Sequence, residues 1–133
     1  MKAAKAKITR GLNVGSWIHA CDNSGARMVR IHSVINNKTV RGKQSAAAIG
    51  DLAFGSVKVG TPEMRKTVVL VVIVRQRMPY KRLDGTSIQF EDNACVVLKD
   101  DKGNPKGTLI RGAIAKEAAD RWPAVSKLAR MIV

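Results

Sequence analysis

Lysine and arginine side chains are the groups in this sequence best suited to bind a partner, because they recur in clusters with few acidic residues to neutralise them. The chain of 133 residues has 24 Lys and Arg against 10 Asp and Glu, a formal net charge of +14. Such a charge destabilises the compact state by self-repulsion unless a polyanion neutralises it. The pattern therefore predicts binding to the phosphates of a nucleic acid. The residues expected to contact RNA are Arg27, Arg30, Lys38, Arg41, Lys43, Arg65, Lys66, Arg75, Arg77, Lys81 and Arg82.

Two segments of this set are singled out by their surroundings. Residues 75–82 carry four of the cations between an apolar strand and the turn formed by Asp84 and Gly85, which predicts a well-held binding loop. The alternative is that these cations only solubilise the end of the strand. Residues 36–45 are polar and basic, so they are expected to project into RNA, with Gly42 allowing close backbone approach. The alternative there is a disordered tip that faces solvent.

A metal site is poorly supported by the sequence. His19, Cys21, His32 and Cys95 are possible zinc ligands, but the paired short spacings of structural zinc modules are missing. Both cysteines lie in apolar strand-like segments, where thiols usually behave as small hydrophobic groups. We therefore expect buried, reduced cysteines and no metal ion.

Catalysis is poorly supported as well. The glycine-containing segments 50–58 and 103–108 lack the spacing of a phosphate-binding loop. The acidic pairs at 91–92 and 100–101 are typical of turns, and a general acid or base would also need a pocket. The sequence predicts no enzyme, no catalytic residue and no cofactor.

The location is predicted to be cytoplasmic. No apolar run reaches the roughly 20 residues that span a bilayer, and no apolar signal core follows the first lysines. A membrane-surface protein would show a continuous basic amphipathic helix, and no such stretch is present. We expect no membrane partner.

The elements that must position the basic clusters are predicted to be short strands followed by two small helices. The eight residues 67–74 are nearly all Val, Leu and Ile, which predicts a core strand. Helices are expected over 115–121 and 124–131, with Pro123 at the start of the second. One domain over 1–133 is predicted, with a basic arm at 1–13, a small barrel at 14–112 and helices at 113–133. Further strands are predicted over 16–21, 28–34, 52–59 and 94–98, and around 88–90.

Aromatic residues help to choose among nucleic-acid binders. The chain has two Trp, two Phe and one Tyr, and several of these must fill the core. Proteins that bind single strands usually stack bases on exposed aromatic side chains. Recognition is therefore expected to depend on phosphate contacts and on the shape of folded RNA. A freely diffusing barrel factor for single-stranded RNA is the alternative function.

The order and spacing of several motifs resemble one family, the universal large-subunit ribosomal protein fourteen family. The resemblance covers the chain from about Trp17 onwards, and its last part is similar to the archaeal and eukaryotic branch, with an archaeal source favoured. The central residues that carry it are Asp22 to Arg27, Gly50, Asp51, Pro62, Glu63, Arg65, Lys66, Val72 to Arg77, Tyr80, Arg82, Asp84, Gly85 and Phe90 to Ala94. The residues similar to the branch are Ala115, Lys116, Glu117, Ala119, Asp120, Trp122 and Pro123.

The resemblance implies a mainly β fold, a closed five-stranded β-barrel with a projecting β-ribbon or loop and short C-terminal α-helices. It implies a non-catalytic constituent of the large ribosomal subunit that binds 23S rRNA. It also implies contacts with 16S rRNA in an intersubunit bridge, with neighbouring large-subunit ribosomal proteins and with an anti-association initiation factor. For Trp122 the alternative is that it only fixes the helices to the barrel. The residues expected in these protein and intersubunit contacts are Lys116, Arg121, Trp122, Lys127 and Arg130.

Overall fold

The computed structural model of the protein describes residues 8–37 and 39–133, so Lys38 and the start of the predicted arm lie outside the described residues. The strands in chain order are β1 (Leu12–Asn13), β2 (Trp17–Ala20), β3 (Ala26–Val34), β4 (Ala46–Ala47), β5 (Leu52–Gly60), β6 (Val68–Arg75), β7 (Tyr80–Lys81), β8 (Ser87–Ile88), β9 (Ala94–Leu98), β10 (Ala113–Ile114) and β11 (Met131–Ile132). Helices α1 (Lys116–Arg121) and α2 (Pro123–Leu128) lie between β10 and β11.

Five strands close into a barrel in the order β2, β3, β5, β6, β9. All neighbouring pairs are antiparallel except β2 with β9, which is parallel and closes the barrel. Closure leaves none of these five strands with an unpaired edge, which matters because β6 is so apolar. The fold class predicted from the sequence is confirmed.

Residues 71–74 of strand β6 are buried on both faces, as expected for a core strand rich in β-branched residues. Consecutive residues of a strand point to opposite faces, yet Val71, Val72, Ile73 and Val74 are all fully buried. One face of the strand fills the barrel interior. The other is covered by the C-terminal segment, where Ala115 N donates a hydrogen bond to Val74 O over 3.1 Å.

The folded structure begins earlier than predicted. Leu12 is buried and pairs with Ala47 through strands β1 and β4. Thr9 O accepts a hydrogen bond from Gln76 Nε2 over 2.9 Å. The last residues of the predicted arm therefore pack on the barrel, because Leu12 adds an apolar side chain to the core.

The second helix ends earlier than predicted. Pro123 is its first residue, as expected, but α2 stops at Leu128 because Ala129 is extended (φ −72°, ψ 133°). Met131 and Ile132 then form β11, which pairs in parallel with β10. A helix this short gains little from its own hydrogen bonds, so strand pairing satisfies the backbone groups of 131–132 better than one more helical turn.

The segment 36–45, expected to project as a loop or ribbon, is a loop in its described residues. A short two-stranded ribbon is formed separately by β7 and β8 around the turn at Asp84 and Gly85. Residues 39–44 are exposed without strand pairing, and Arg41 adopts a positive φ of 60°. Within the described part of the chain, no helix is long and apolar enough to cross a membrane.

Candidate nucleic-acid interface

The outer surface of the barrel is basic along two neighbouring strands, β3 and β5, which carry exposed cations and no acids. None of β2, β3, β5, β6 and β9 contains an Asp or Glu. Arg27 and Arg30 of β3 and Lys58 of β5 are exposed. Alternation along the strands keeps apolar residues such as Val29 and Val57 inside and leaves these cations outside. The surface is suited to a polyanion.

Arg65 and Lys66 extend this basic surface from a tight loop between β5 and β6. The loop is closed by hydrogen bonds from Arg65 N to Thr61 O and from Lys66 N to Val57 O, at 3.0 and 2.9 Å. Met64 is buried beneath it, which fixes the loop to the barrel. Both cations are exposed and are therefore held on a rigid support.

Arg75 has a structural role that the sequence did not predict. Its side chain is only 13% exposed and forms a bidentate ion pair with Asp92, with N–O distances of 3.0 and 3.2 Å. Nη1 also donates to the carbonyl oxygens of Arg111 and Ala113 at 3.0 and 2.9 Å. A Cβ on Gly112, whose φ is +76°, would lie 2.7 Å from Nη1. Arg75 therefore clamps the C-terminal segment to the barrel and is not exposed for phosphate.

Arg82 likewise has internal partners. Its Nε lies 2.7 Å from Glu117 Oε1, and the Tyr80 hydroxyl donates to Glu117 Oε2 over 2.8 Å. Burial and then the Glu117 carboxylate raise the pKa of the Tyr80 phenol, while the hydrogen bond with Glu117 raises the pKa of Arg82. The segment 75–82 thus splits into two structural arginines and two exposed cations, Arg77 and Lys81. RNA binding by this segment stays a prediction, and within it Arg77 and Lys81 are the cations free to contact phosphate.

The predicted contact residues near the C-terminal end also divide. Lys116, Lys127 and Arg130 are exposed. Arg121 is exposed as well, but it pairs with Asp51 at 3.2 Å and lies 5.6 Å from the centre of the Trp122 ring. Lys116, Lys127 and Arg130 are therefore the cations of this group that could meet a partner without breaking an internal contact.

Trp122 holds the C-terminal helices on the barrel. Its Nε1 donates a hydrogen bond to Gly50 O over 2.8 Å. Its ring covers Gly103, where φ is +98° and a Cβ would lie 2.5 Å from Trp122 Cε3. This geometry supports the alternative role for Trp122, a residue that fixes the helices to the barrel.

Sequence reasoning missed two exposed aromatic residues. Trp17 and Phe54 are 51% and 42% exposed, whereas Tyr80 is fully buried. Alternation with the buried Ile18 is the signal that could have placed Trp17 outside. Phe54 borders a groove of about 590 Å³ that is also lined by Val68, Leu70, Lys99 and Lys106, and we assign it no ligand.

The thiols behave as predicted. Cys21 and Cys95 are buried and unpaired with each other, and burial raises the pKa of Cys21 to about 11. Among the described residues, no group of three or more His, Cys, Asp or Glu side chains could hold a metal ion. Neither thiol is arranged for nucleophilic or ligand chemistry, which requires the thiolate.

A closed five-stranded barrel with acid-free strands and exposed cations on β3 and β5 defines a small β-barrel protein with a surface suited to a polyanion. The family described as ribosomal protein L14p/L23e matches residues 11–133, and the chain belongs to this family. It is 45% identical to the large ribosomal subunit protein uL14 of Methanocella arvoryzae. It is 47% identical to the proteins of that name from Picrophilus torridus and Halobacterium salinarum. Each comparison extends over 133 residues and the whole of both chains.

This membership confirms three expectations from the sequence. The resemblance to the family and to its archaeal branch is correct. The chain is a ribosomal protein, so its place is the ribosome in the cytoplasm. It is not an enzyme, because the members of the family are structural ribosomal proteins.

Proposed function

We propose that the chain is a structural constituent of the large ribosomal subunit that binds 23S-type rRNA and contributes to an intersubunit bridge. The observation that carries this proposal is the acid-free surface of the barrel strands in a member of a ribosomal family. A surface without acids meets the phosphates of folded RNA without local repulsion. No catalytic step is involved.

The RNA-binding surface comprises those cations predicted from the sequence that the fold leaves exposed. Each phosphate they neutralise releases a counterion, so affinity comes from their number more than from base reading. Rigid supports such as the loop over Met64 add to affinity because less side-chain and backbone freedom is lost on binding. The described members of this surface are Arg27, Arg30, Arg41, Lys43, Arg65, Lys66, Arg77 and Lys81.

The bridging surface lies on α1, α2 and the residues after them. Lys116, Lys127 and Arg130 supply charge suited to 16S rRNA across the subunit interface. Beside them, Met131, Ile132 and Val133 are 59%, 47% and 44% exposed, which suits contact with a protein. We assign the anti-association initiation factor to this mixed surface, while neighbouring large-subunit proteins meet the barrel elsewhere.

A sucrose gradient of cell lysate in moderate salt tests this function. The tagged chain is expected to sediment with the large subunit, and a variant with Arg65, Lys66, Arg77 and Lys81 changed to Gln is expected to shift towards the top. The matched control changes Lys99, Lys102, Lys106 and Arg111 to Gln, four exposed cations that are not among the predicted RNA-binding residues. A wild-type chain that stays near the top would instead indicate a free single-stranded RNA factor.

A further inference from the structure

Trp17 and Arg30 lie side by side on the outer surface of the barrel. They are partners in the register of β2 and β3, so their side chains leave the same face of the sheet. Trp17 is 51% exposed and Arg30 is exposed. The Arg30 side chain reaches towards the turn before β2, since its Nη2 lies 3.9 Å from the position of a Cβ on Gly15. An aromatic face and a guanidinium are thus available together.

The surroundings of this pair suit a nucleotide. On the same strands His19 and Arg27 are also exposed, and neither β2 nor β3 contains an acid. Among the described residues Arg30 has no ion pair. An indole beside an unpaired cation can stack on a base while the cation contacts the adjoining phosphate.

A protein partner fits this surface less well. Both strands are fully enclosed in the barrel, so no edge is available for an added strand. The groove beside Phe54 and Val68 is also lined by Lys99, Asp101 and Lys106, so it is not an apolar docking site for a peptide. Charge complementarity therefore favours RNA over an apolar peptide.

We propose that Trp17 is a stacking platform for one unpaired base of large-subunit rRNA and that Arg30 binds the phosphate next to it. The inference depends on the proposed rRNA-binding function. It adds a base contact to a surface that otherwise binds phosphates, so it adds selectivity for an unpaired base to contacts that only position the protein.

The test compares binding of the purified full-length chain to archaeal large-subunit rRNA for wild type, Trp17→Ala, Trp17→Phe and Arg30→Gln. Trp17→Ala should weaken binding about 5- to 150-fold, the range for removal of one base stack, and leave the salt slope unchanged. Trp17→Phe should retain most of the affinity, while Arg30→Gln should lower the salt slope by about 0.7 to 0.9. Val68→Ala, at an apolar position 66% exposed on the same outer surface, is the matched control and should bind like wild type.

Two further readouts separate stacking from a general loss of affinity. Chemical probing should show one base protected by wild type and by Trp17→Phe but reactive with Trp17→Ala. The emission of Trp17, obtained by subtracting the Trp17→Phe spectrum from the wild-type spectrum, should be quenched by the RNA, because Trp122 is the only other tryptophan.

Different results would overturn the stacking role of Trp17 and the proposed binding of the chain to rRNA. Equal affinity and equal base protection for Trp17→Ala and wild type would overturn the stacking role, as would an equal loss in Val68→Ala. A wild-type chain that binds the rRNA weakly and without salt dependence would overturn the proposed function itself. If Trp17 emission changes in assembled subunits without any change in base reactivity, a protein neighbour covers Trp17 and the inference is wrong.

Discussion

The Tyr80 hydroxyl donates a hydrogen bond to Glu117 over 2.8 Å and joins the β7–β8 ribbon to helix α1. The same carboxylate accepts a hydrogen bond from Arg82 Nε over 2.7 Å. The basic ribbon proposed to lie near RNA is therefore connected to the C-terminal segment proposed to bridge the subunits. The Glu117 carboxylate thus fixes the position of the β7–β8 ribbon relative to helix α1.

This contact predicts how stability depends on alkaline pH. The folded-state pKa of Tyr80 is raised above its ordinary value of 10.0, so the folded protein keeps the phenol proton more tightly than the unfolded chain. Its contribution to stability is present below pH 10 and is lost as pH rises through the folded pKa. The free energy of unfolding of the wild type should therefore fall more steeply above pH 10 than that of Tyr80→Phe. Because Tyr80 is the only tyrosine, the ultraviolet absorbance of tyrosinate reports this group alone. Identical titrations of the folded and denatured chain would contradict the prediction.

Replacement of Arg75 should lower the free energy of unfolding, whereas replacement of Arg77, two residues away, should leave it almost unchanged. Arg75→Lys keeps the charge but cannot reproduce the bidentate pair with Asp92, and we expect a loss of about 1 to 3 kcal/mol in unfolding free energy. Arg77→Gln changes an exposed side chain and should alter stability by no more than about 0.5 kcal/mol. Chemical denaturation of both variants measures the difference. Equal midpoints would mean that the Arg75 clamp adds nothing to stability.

The barrel was predictable because its signals are local. The β-branched density of 67–74 predicted β6, and Pro123 marked the start of α2. The structural roles of Arg75 and Arg82 were not predictable, since their carboxylate partners lie 17 and 35 residues away in sequence. In sequence, a cation that faces solvent cannot be distinguished from one that pairs with a distant carboxylate. The end of α2 was missed because pairing of β11 with β10 depends on a similar long-range contact.

The exposed cations should give rRNA binding a steep salt dependence. Replacing Arg65, Lys66, Arg77 and Lys81 by Gln should lower the slope of log affinity against log salt by about 0.7 to 0.9 for each phosphate that is no longer neutralised. The domain should stay folded, because none of the four has a side-chain partner among the described residues. Filter binding over a range of salt concentrations gives the slope. An unchanged slope would mean that these residues only face solvent.

Charge reversal on the bridging surface should impair subunit joining while large-subunit assembly survives. Changing Lys116, Lys127 and Arg130 to Glu would place acids against 16S rRNA, where each like-charge contact is repulsive. Arg121 is left intact because it pairs with Asp51, so the C-terminal helices keep their contact with the barrel. Changing Lys99, Lys102 and Lys106 to Glu alters the total charge by the same amount and is the control. Gradient sedimentation of mixed subunits measures joining, and pull-down with the anti-association factor measures its binding. If the triple variant enters the large subunit and both measurements match wild type, this face does not form the bridge.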